Sequence, residues 1–335
     1  MNKLKVFWGT RSDTTPTGNL YGYRIHNETL KNYVQKRKDV EIVESWEDAD
    51  VCLFITTPEI FNDRPPKPTF LFTMFEGSSK LPDIYIENIK RADFLITPSH
   101  WSKDLFAPYF SAEKTFVVPH GIEKDFEYCK RNLNSNVFRY LWVGAANPRK
   151  GYQELIFTWS KLALDLNPNI ELYIKTTRVP NVSIEQNRNV ILDSRDLSRE
   201  ELVKLYHSAH CFVLPTRGEG FGFTLAEAMA TGLPCIATGR SGETEYFDDE
   251  VGYTLKYKLG MSNVKSWIYG DLGETEVALP DLVDLAQKMD LVKRDYKRAL
   301  VKGLKASIRI KTEFTWERAA EKLMKTFHQG LNRSN

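Results

Sequence analysis

Two carboxylates with seven residues between them, Glu219 and Glu227, lie in and just beyond a loop of three closely spaced glycines, Gly218, Gly220 and Gly222. An apolar run ends at Pro215 just before them, and a helix is predicted to open near Phe223 or Thr224. Glycines let backbone approach a ligand closely, and a helix start offers unpaired N–H groups at the positive end of its dipole. That combination seats a diphosphate, with Gly220, Phe221, Gly222 and Thr224 as the residues at the seat. Carboxylates repel phosphate, so Glu219 and Glu227 are expected to accept from hydroxyls instead, those of a ribose and of a sugar. A cationic feature, Arg149 and Lys150, follows the glycine turn after Val143. A lysine at the beginning of a helix opposes the helix dipole, and an anion bound there relieves the conflict.

The elements that position these groups are short apolar runs alternating with amphipathic stretches, the pattern of strand–helix–strand units on a parallel sheet. Strands are predicted over 5–8, 40–43, 51–56, 69–75, 94–97 and 115–118, with helices opening near Tyr21, Pro82 and Ser99. The apolar pattern stops near Glu123, and the polar, Asn-rich segment to Asn136 reads as a linker. Strands over 138–143, 170–175, 190–192, 211–214 and 234–237 follow, with helices over 150–166, over 198–209 and from Phe223. Both halves read as doubly wound α/β domains, which bind ligands beyond the carboxyl ends of their strands. In the first half, Gly18 lies in the turn after the first strand and is a candidate for backbone contact with phosphate. An ordinary βα turn is the other reading.

The 335 residues imply roughly two domains. Lys+Arg 46 against Asp+Glu 44 leaves +2, which excludes a global field suited to nucleic acid. The N-terminus lacks the apolar core of a signal peptide, and no stretch is long and apolar enough to span a bilayer. Cys52, Cys129, Cys211 and Cys235 show neither close pairing nor ligand spacing, as expected of reduced thiols in a cytoplasmic protein.

The Glu219…Glu227 element resembles the E-x7-E element of retaining GT-B glycosyltransferases of family four, the group 1 glycosyl transferases. The likeness extends to Val143-Gly-Ala-Ala-Asn-Pro-Arg-Lys-Gly-Tyr, to Ala92-Asp-Phe-Leu-Ile-Thr-Pro-Ser, to Val117-Val-Pro-His-Gly-Ile and to Phe314-Thr-Trp-Glu-Arg-Ala-Ala. It is continuous from about residue 90 onward and architectural before it.

The resemblance implies two Rossmann-like domains facing across a cleft. These are an acceptor domain over 1–125, a nucleotide-sugar domain over 136–312, and a C-terminal helix over 313–335 that returns to the first. It further implies a hexosyltransferase-type enzyme that moves a sugar from a nucleotide-diphosphate sugar to an acceptor hydroxyl on a glycan, a lipid-linked glycan or a small molecule. By the same likeness Glu227 binds ribose, Glu219 binds the transferred sugar, and Lys150, with Arg149, binds the diphosphate. No metal or other cofactor is expected. The sequence departs from the family in carrying Ala145 where many members have arginine, and Glu76 near a strand end where many have histidine. Glu76 either takes that place or is a solvated strand-end residue. His120, in Pro-His-Gly, is either an acceptor or sugar contact or a turn residue.

Other features have plainer readings. His207 and His210 lack a third ligand for a metal, and Asp248-Asp-Glu reads as a solvated turn. Between Lys288 and Lys311 a basic helical stretch reads as a solvated face or as contact with anionic lipid headgroups at the inner face of a membrane. Alternatives to transfer are a GT-B epimerase or phosphorylase, or a non-catalytic protein that binds sugar nucleotides.

Overall fold

A computed structural model describes residues 3–9, 21–77, 80–131, 135–161, 168–177, 189–263 and 274–334. The chain forms two compact units, Met1–Gly121 with Phe314–Asn335, and Ile122–Glu313.

The first unit is built on a six-stranded sheet of order β2-β1-β3-β4-β5-β6, parallel throughout. Its strands are β1 (Leu4–Gly9), β2 (Val40–Val43), β3 (Val51–Ile55), β4 (Thr69–Phe72), β5 (Phe94–Thr97) and β6 (Thr115–Val117). Every residue of β3, β4 and β5 is buried, as expected where both faces of a parallel sheet are covered. The helices are α1 (Tyr21–Gln35), α2 (Asp83–Ile89) and α3 (His100–Phe106), the last capped by Ser99, whose Oγ accepts from Ser102 N at 3.1 Å. A fourth helix comes from the far end of the chain, Trp316–Ser334, called α9 below. Phe327 meets Phe70 edge-on at 4.9 Å, and Gly330 lies so close to Phe70 that a Cβ there would be 2.4 Å from its ring.

The second unit repeats the plan with the order β12-β11-β10-β7-β8-β9. Its strands are β7 (Phe138–Val143), β8 (Ile170–Lys175), β9 (Val190–Asp193), β10 (Cys211–Leu214), β11 (Cys235–Thr238) and β12 (Tyr253–Leu255). Helices α4 (Tyr152–Lys161), α5 (Arg199–Ser208), α6 (Phe223–Ala230), α7 (Leu282–Arg294) and α8 (Tyr296–Glu313) accompany it. A capping box between Ser198 and Glu201 starts α5. Helix α8 packs on α6, and its Gly303 lies against the turn that follows, where a Cβ would come within 2.3 Å of the Gly232 carbonyl oxygen.

Several expectations are revised. The strand expected over 69–75 ends at Phe72, although Thr73 N still donates to Ile96 O of β5 at 2.9 Å. The helix expected from Lys150 is interrupted. A 3-10 turn (Pro148–Lys150) is followed by Gly151 at φ 70°, and α4 begins only at Tyr152. Lys150 therefore does not stand on the α4 dipole. The polar segment after Glu123 is held on the second unit by Arg131. Its guanidinium is 7% exposed and donates to the carbonyls of Ala209, Thr231 and Tyr206 at 3.0–3.2 Å. An antiparallel hairpin, β13 (Tyr257–Asn263) and β14 (Glu274–Pro280), had no counterpart in the sequence reading.

Candidate active site

In the second sheet the chain leaves β7 toward β8 on one flank, whereas β10 lies on the other. The loops after β7 and β10 therefore meet at the topological switch point, where doubly wound sheets bind ligands. Backbone contact joins these loops. A Cβ on Gly151 would fall 1.8 Å from the Pro215 carbonyl oxygen, and its positive φ is one that side chains disfavour, so only glycine fits. Arg217 N donates to Arg149 O at 2.7 Å, and Trp142 Nε1 to Lys150 O at 3.1 Å.

The two loops bring Lys150, Arg149 and Glu219 into one ionic cluster. Lys150 Nζ lies 2.7 Å from Glu219 Oε2, and the Arg149 guanidinium lies 3.2 Å from the same oxygen while also donating to Gly218 O. Thr216 Oγ1 donates to Glu219 Oε1 at 3.0 Å. Glu219 is 3% exposed. Burial alone would raise its carboxyl, but Lys150 and Arg149 beside it hold it below the usual carboxylate range. Arg149, expected on the diphosphate, is 5% exposed and works inside the protein, ordering the glycine loop.

A third loop, after β11, supports the second. Glu219 N donates to Ser241 Oγ at 2.7 Å, and Gly242 N to Glu219 O at 2.9 Å. The fully buried Glu243 gathers Ser241 Oγ at 2.5 Å and the Ser241 and Arg240 N–H groups at 3.2 Å. Tyr246 OH lies 2.9 and 2.7 Å from the carbonyl oxygens of Phe221 and Gly222. Gly222, at φ 89°, precedes the first turn of α6. The Phe221 ring packs on Phe223 and Tyr246, 5.5 and 5.0 Å between centroids, so only the Phe221 backbone is turned to the loop. The Gly220 carbonyl faces Gly242. Thr224 Oγ1 is enclosed without a hydrogen-bond partner. Glu227, partly buried on α6, accepts from Tyr206 OH at 2.9 Å. Burial raises its carboxyl to about 7.

Sequence reasoning missed Thr216, Ser241, Glu243, Tyr206 and Tyr246. The available signal was Gly239-Arg-Ser-Gly-Glu directly after a strand, the same type of punctuation that marks the Glu219 loop. It also missed the anchoring of the loop by the hairpin, where Ala278 N donates to Arg217 O at 3.0 Å. Gly18 lies outside the described residues. Glu76 and His120 belong to the first unit, Glu76 part-exposed beyond β4. His120, 1% exposed, stacks with Phe72 and lies 3.9 Å from His26 between ring centroids. His120 is thus enclosed in aromatic packing within the first unit. The histidine pair at 207 and 210 is divided: His207 Nε2 lies 2.9 Å from Glu127 O, and His210 Nδ1 accepts from Arg139 N at 3.0 Å.

Glu243 makes the site's support sensitive to pH. Burial raises its carboxyl from 4.5 to about 7. A raised carboxyl pKa contributes stability that is complete below the unfolded value and is lost as pH rises through the folded one. Stability is therefore expected to fall between about pH 4.5 and 7, by up to roughly 3 kcal/mol from this group. Glu243→Gln should flatten that part of the profile in urea unfolding at stepped pH. An unchanged slope would contradict the assignment.

Residues 123–259 match the family described as glycosyl transferases group 1. ORF313 of Acidianus filamentous virus 1, a glycosyltransferase by name, is 26% identical over 259 residues, 69% of this chain and 76% of its own length. The MMP alpha-(1->4)-mannosyltransferase of Mycolicibacterium hassiacum is 28% identical over 154 residues, 44% of this chain, and the matched stretch spans only 36% of that relative. Among solved structures, Anabaena Alr3699/HepE in complex with UDP and glucose superposes with a TM-score of 0.69 at 13% identity. The match covers 97% of this chain and 99% of that one, a likeness of fold. Each unit thus carries a parallel Rossmann-like sheet, the fold of GT-B proteins, and residues 123–259 in the second carry the match to glycosyl transferases group 1.

Proposed function

We propose that the protein is a retaining hexosyltransferase that moves a sugar from a nucleotide-diphosphate donor to an acceptor hydroxyl. The observation that carries this reading is the convergence of Lys150, Glu219 and the α6 N-terminus at the switch point of the second sheet. Lys150 and the first N–H groups of α6 receive the diphosphate, Glu219 the hydroxyls of the sugar, and Glu227 those of the ribose. As the sugar–oxygen bond to the diphosphate breaks, the acceptor oxygen bonds to the same carbon on the face being vacated. The departing diphosphate takes the acceptor's proton, so no protein base is required. Lys150 and the α6 N-terminus supply positive charge for the leaving group, and the reaction is expected to persist in chelator. The first domain takes the acceptor, with Glu76 at its strand ends. Transferase names among the relatives favour this reading over epimerisation, phosphorolysis or simple binding.

Thermal shift with UDP, GDP, ADP and their sugars tests the donor. A ligand at a hundred times its dissociation constant stabilises by about 2.7 kcal/mol. Absence of any shift would remove the nucleotide-sugar assignment.

We further place the protein in the cytoplasm, in contact with an anionic membrane surface through α8. Val301, Leu304 and Ile308 are 57%, 44% and 55% exposed along one stripe, with Lys297 and Lys311 beside it. Among the described residues no helix is long and apolar enough to cross a membrane. Binding to phosphatidylglycerol vesicles is expected at about 0.01 M ionic strength and should vanish near 1 M, as the Debye length shrinks from roughly 30 to 3 Å. Cosedimentation that is indifferent to salt, or equal on phosphatidylcholine, would refute it.

A further inference from the structure

The loop that carries Glu219 is held by the loop after β11, and the way it is held fixes where its backbone points. In a trans peptide the C=O and the N–H of the next residue lie in one plane and face opposite ways. Tyr246, which ends the 3-10 turn (Gly242–Glu245) after β11, shares its hydroxyl between Phe221 O at 2.9 Å and Gly222 O at 2.7 Å. The N–H groups of Gly222 and Phe223, which lie in those two peptide planes, therefore face away from Tyr246. Gly222 O also accepts from Leu225 N at 3.1 Å and Ala226 N at 3.2 Å, so it points into α6 while the Phe223 N–H points out of its N-terminal end. The same supporting loop turns one more peptide. Gly242 N holds Glu219 O at 2.9 Å, and the Gly220 N–H faces the other way. The N–H groups of Gly220, Gly222 and Phe223 are thus all aimed away from the support, and neighbouring backbone N–H groups turned outward in this manner receive anions.

Tyr246 reaches the loop from the interior. It is 1% exposed, and its ring packs on Phe221 at 5.0 Å between centroids. A Cβ on Gly222 would fall 2.8 Å from its hydroxyl, so the oxygen occupies space that a side chain at 222 would need. Burial, with Glu243 and Glu219 nearby, holds the phenol well above its ordinary range, and the hydroxyl stays protonated and able to donate. The Tyr246 backbone is itself fixed on both sides: its N–H donates to Glu243 O at 3.1 Å, and Arg309 of α8 donates to Tyr246 O at 3.0 Å and to Asp248 at 2.8 Å. The phenol is not what keeps α6 helical, because Gly222 O retains the N–H groups of Leu225 and Ala226 without it. Its specific effect falls on the Phe221 peptide, and hence on the Gly222 N–H.

We infer that Tyr246 is a positioning residue for sugar transfer: through the Phe221 and Gly222 carbonyls its hydroxyl aims the Gly222 and Phe223 N–H groups at the leaving diphosphate. This rests on the glycosyltransfer reading above and adds to it the side chain that orients the leaving-group seat. N–H groups fixed in advance stabilise developing charge without reorganisation, so their misalignment is felt most by the species that carries most charge.

The test uses the full chain with the nucleotide sugar that gives the largest thermal shift and the matching nucleoside diphosphate, which bears the charge of the departed leaving group. Turnover is followed as diphosphate release, with methyl hexopyranosides as acceptors, or water where none is used. The kcat, both dissociation constants and Tm are measured for wild type, for Tyr246→Phe, and for a chain with 4-aminophenylalanine incorporated at 246, which restores a donor in the same place. Tyr246→Phe should lower kcat about tenfold, equivalent to about 1.4 kcal/mol, and weaken the nucleoside diphosphate by a similar factor, while the nucleotide-sugar constant moves by less than about threefold. The amino variant should recover most of both losses. If Tyr246→Phe does not fold, Arg309→Ala, which releases the Tyr246 carbonyl from α8, carries the same expectation in direction. A lowered Tm with kcat and diphosphate affinity unchanged, equal weakening of both ligands, or an amino variant no better than Tyr246→Phe would overturn the inference. A protein that binds neither ligand fails the glycosyltransfer reading. One whose Tyr246→Phe variant transfers sugar as fast as wild type fails this inference alone.

Discussion

Replacing Lys150 with alanine is expected to lower kcat about a hundred- to a thousandfold, equivalent to about 2.7–4 kcal/mol in the barrier. The ammonium lies 2.7 Å from Glu219, at the junction of two loops locked together by Gly151 against Pro215. Under the proposed transfer it is thus pre-placed where negative charge grows as the sugar–phosphate bond breaks, so little reorganisation would accompany the reaction. Because that charge develops in the transition state, kcat should fall more than donor affinity. Steady-state kinetics beside a donor titration separate the two. A kcat within a small factor of wild type would remove Lys150 from the chemistry.

Glu219→Ala should act on stability as well as on turnover. Its carboxylate is the shared partner of Lys150, Arg149 and Thr216, and Arg149 is 5% exposed. Removing one member of a buried ionic group leaves the others uncompensated, at a cost of about 3–5 kcal/mol. For a domain of this size each kcal/mol lowers Tm by about 2–4 °C. Lys150→Ala should be milder, since Arg149 still neutralises the carboxylate. Thermal unfolding of the two variants side by side decides this. Equal melting temperatures would mean that the cluster does not hold the loops.

The strands were legible because a parallel sheet covered on both faces needs unbroken apolar runs such as Val51–Ile55 and Cys211–Leu214. The loops that carry Lys150 and Glu219 were legible because glycines directly after a strand have a local signature, although the helix start expected at Lys150 is not there. Three features were not. Arg131 lies in a polar stretch, and only the folded chain brings the carbonyls of Ala209, Thr231 and Tyr206 to its guanidinium. The hairpin β13–β14 mixes lysine, serine and glutamate with apolar residues, and its anchoring contact is a backbone N–H that carries no residue signature. The burial of Glu243 carried no signal in the sequence, because short-range pattern does not reveal burial by distant loops. Arg149 was recognised as a nearby cation, but whether it faces a ligand or Gly218 is settled by tertiary packing.

Helix α9 has a bearing on how the polypeptide is made. Trp316 stacks with His26 at 5.8 Å between centroids, Phe327 meets Phe70 edge-on at 4.9 Å, and Gly121 closes on the backbone of Trp316. The first unit thus lacks part of its interior until Phe314–Ser334 have left the ribosome. The intervening domain, Ile122–Glu313, can mature while its predecessor still waits. Nascent chains halted before Phe314 should accordingly present a protease-sensitive front half beside a resistant rear one.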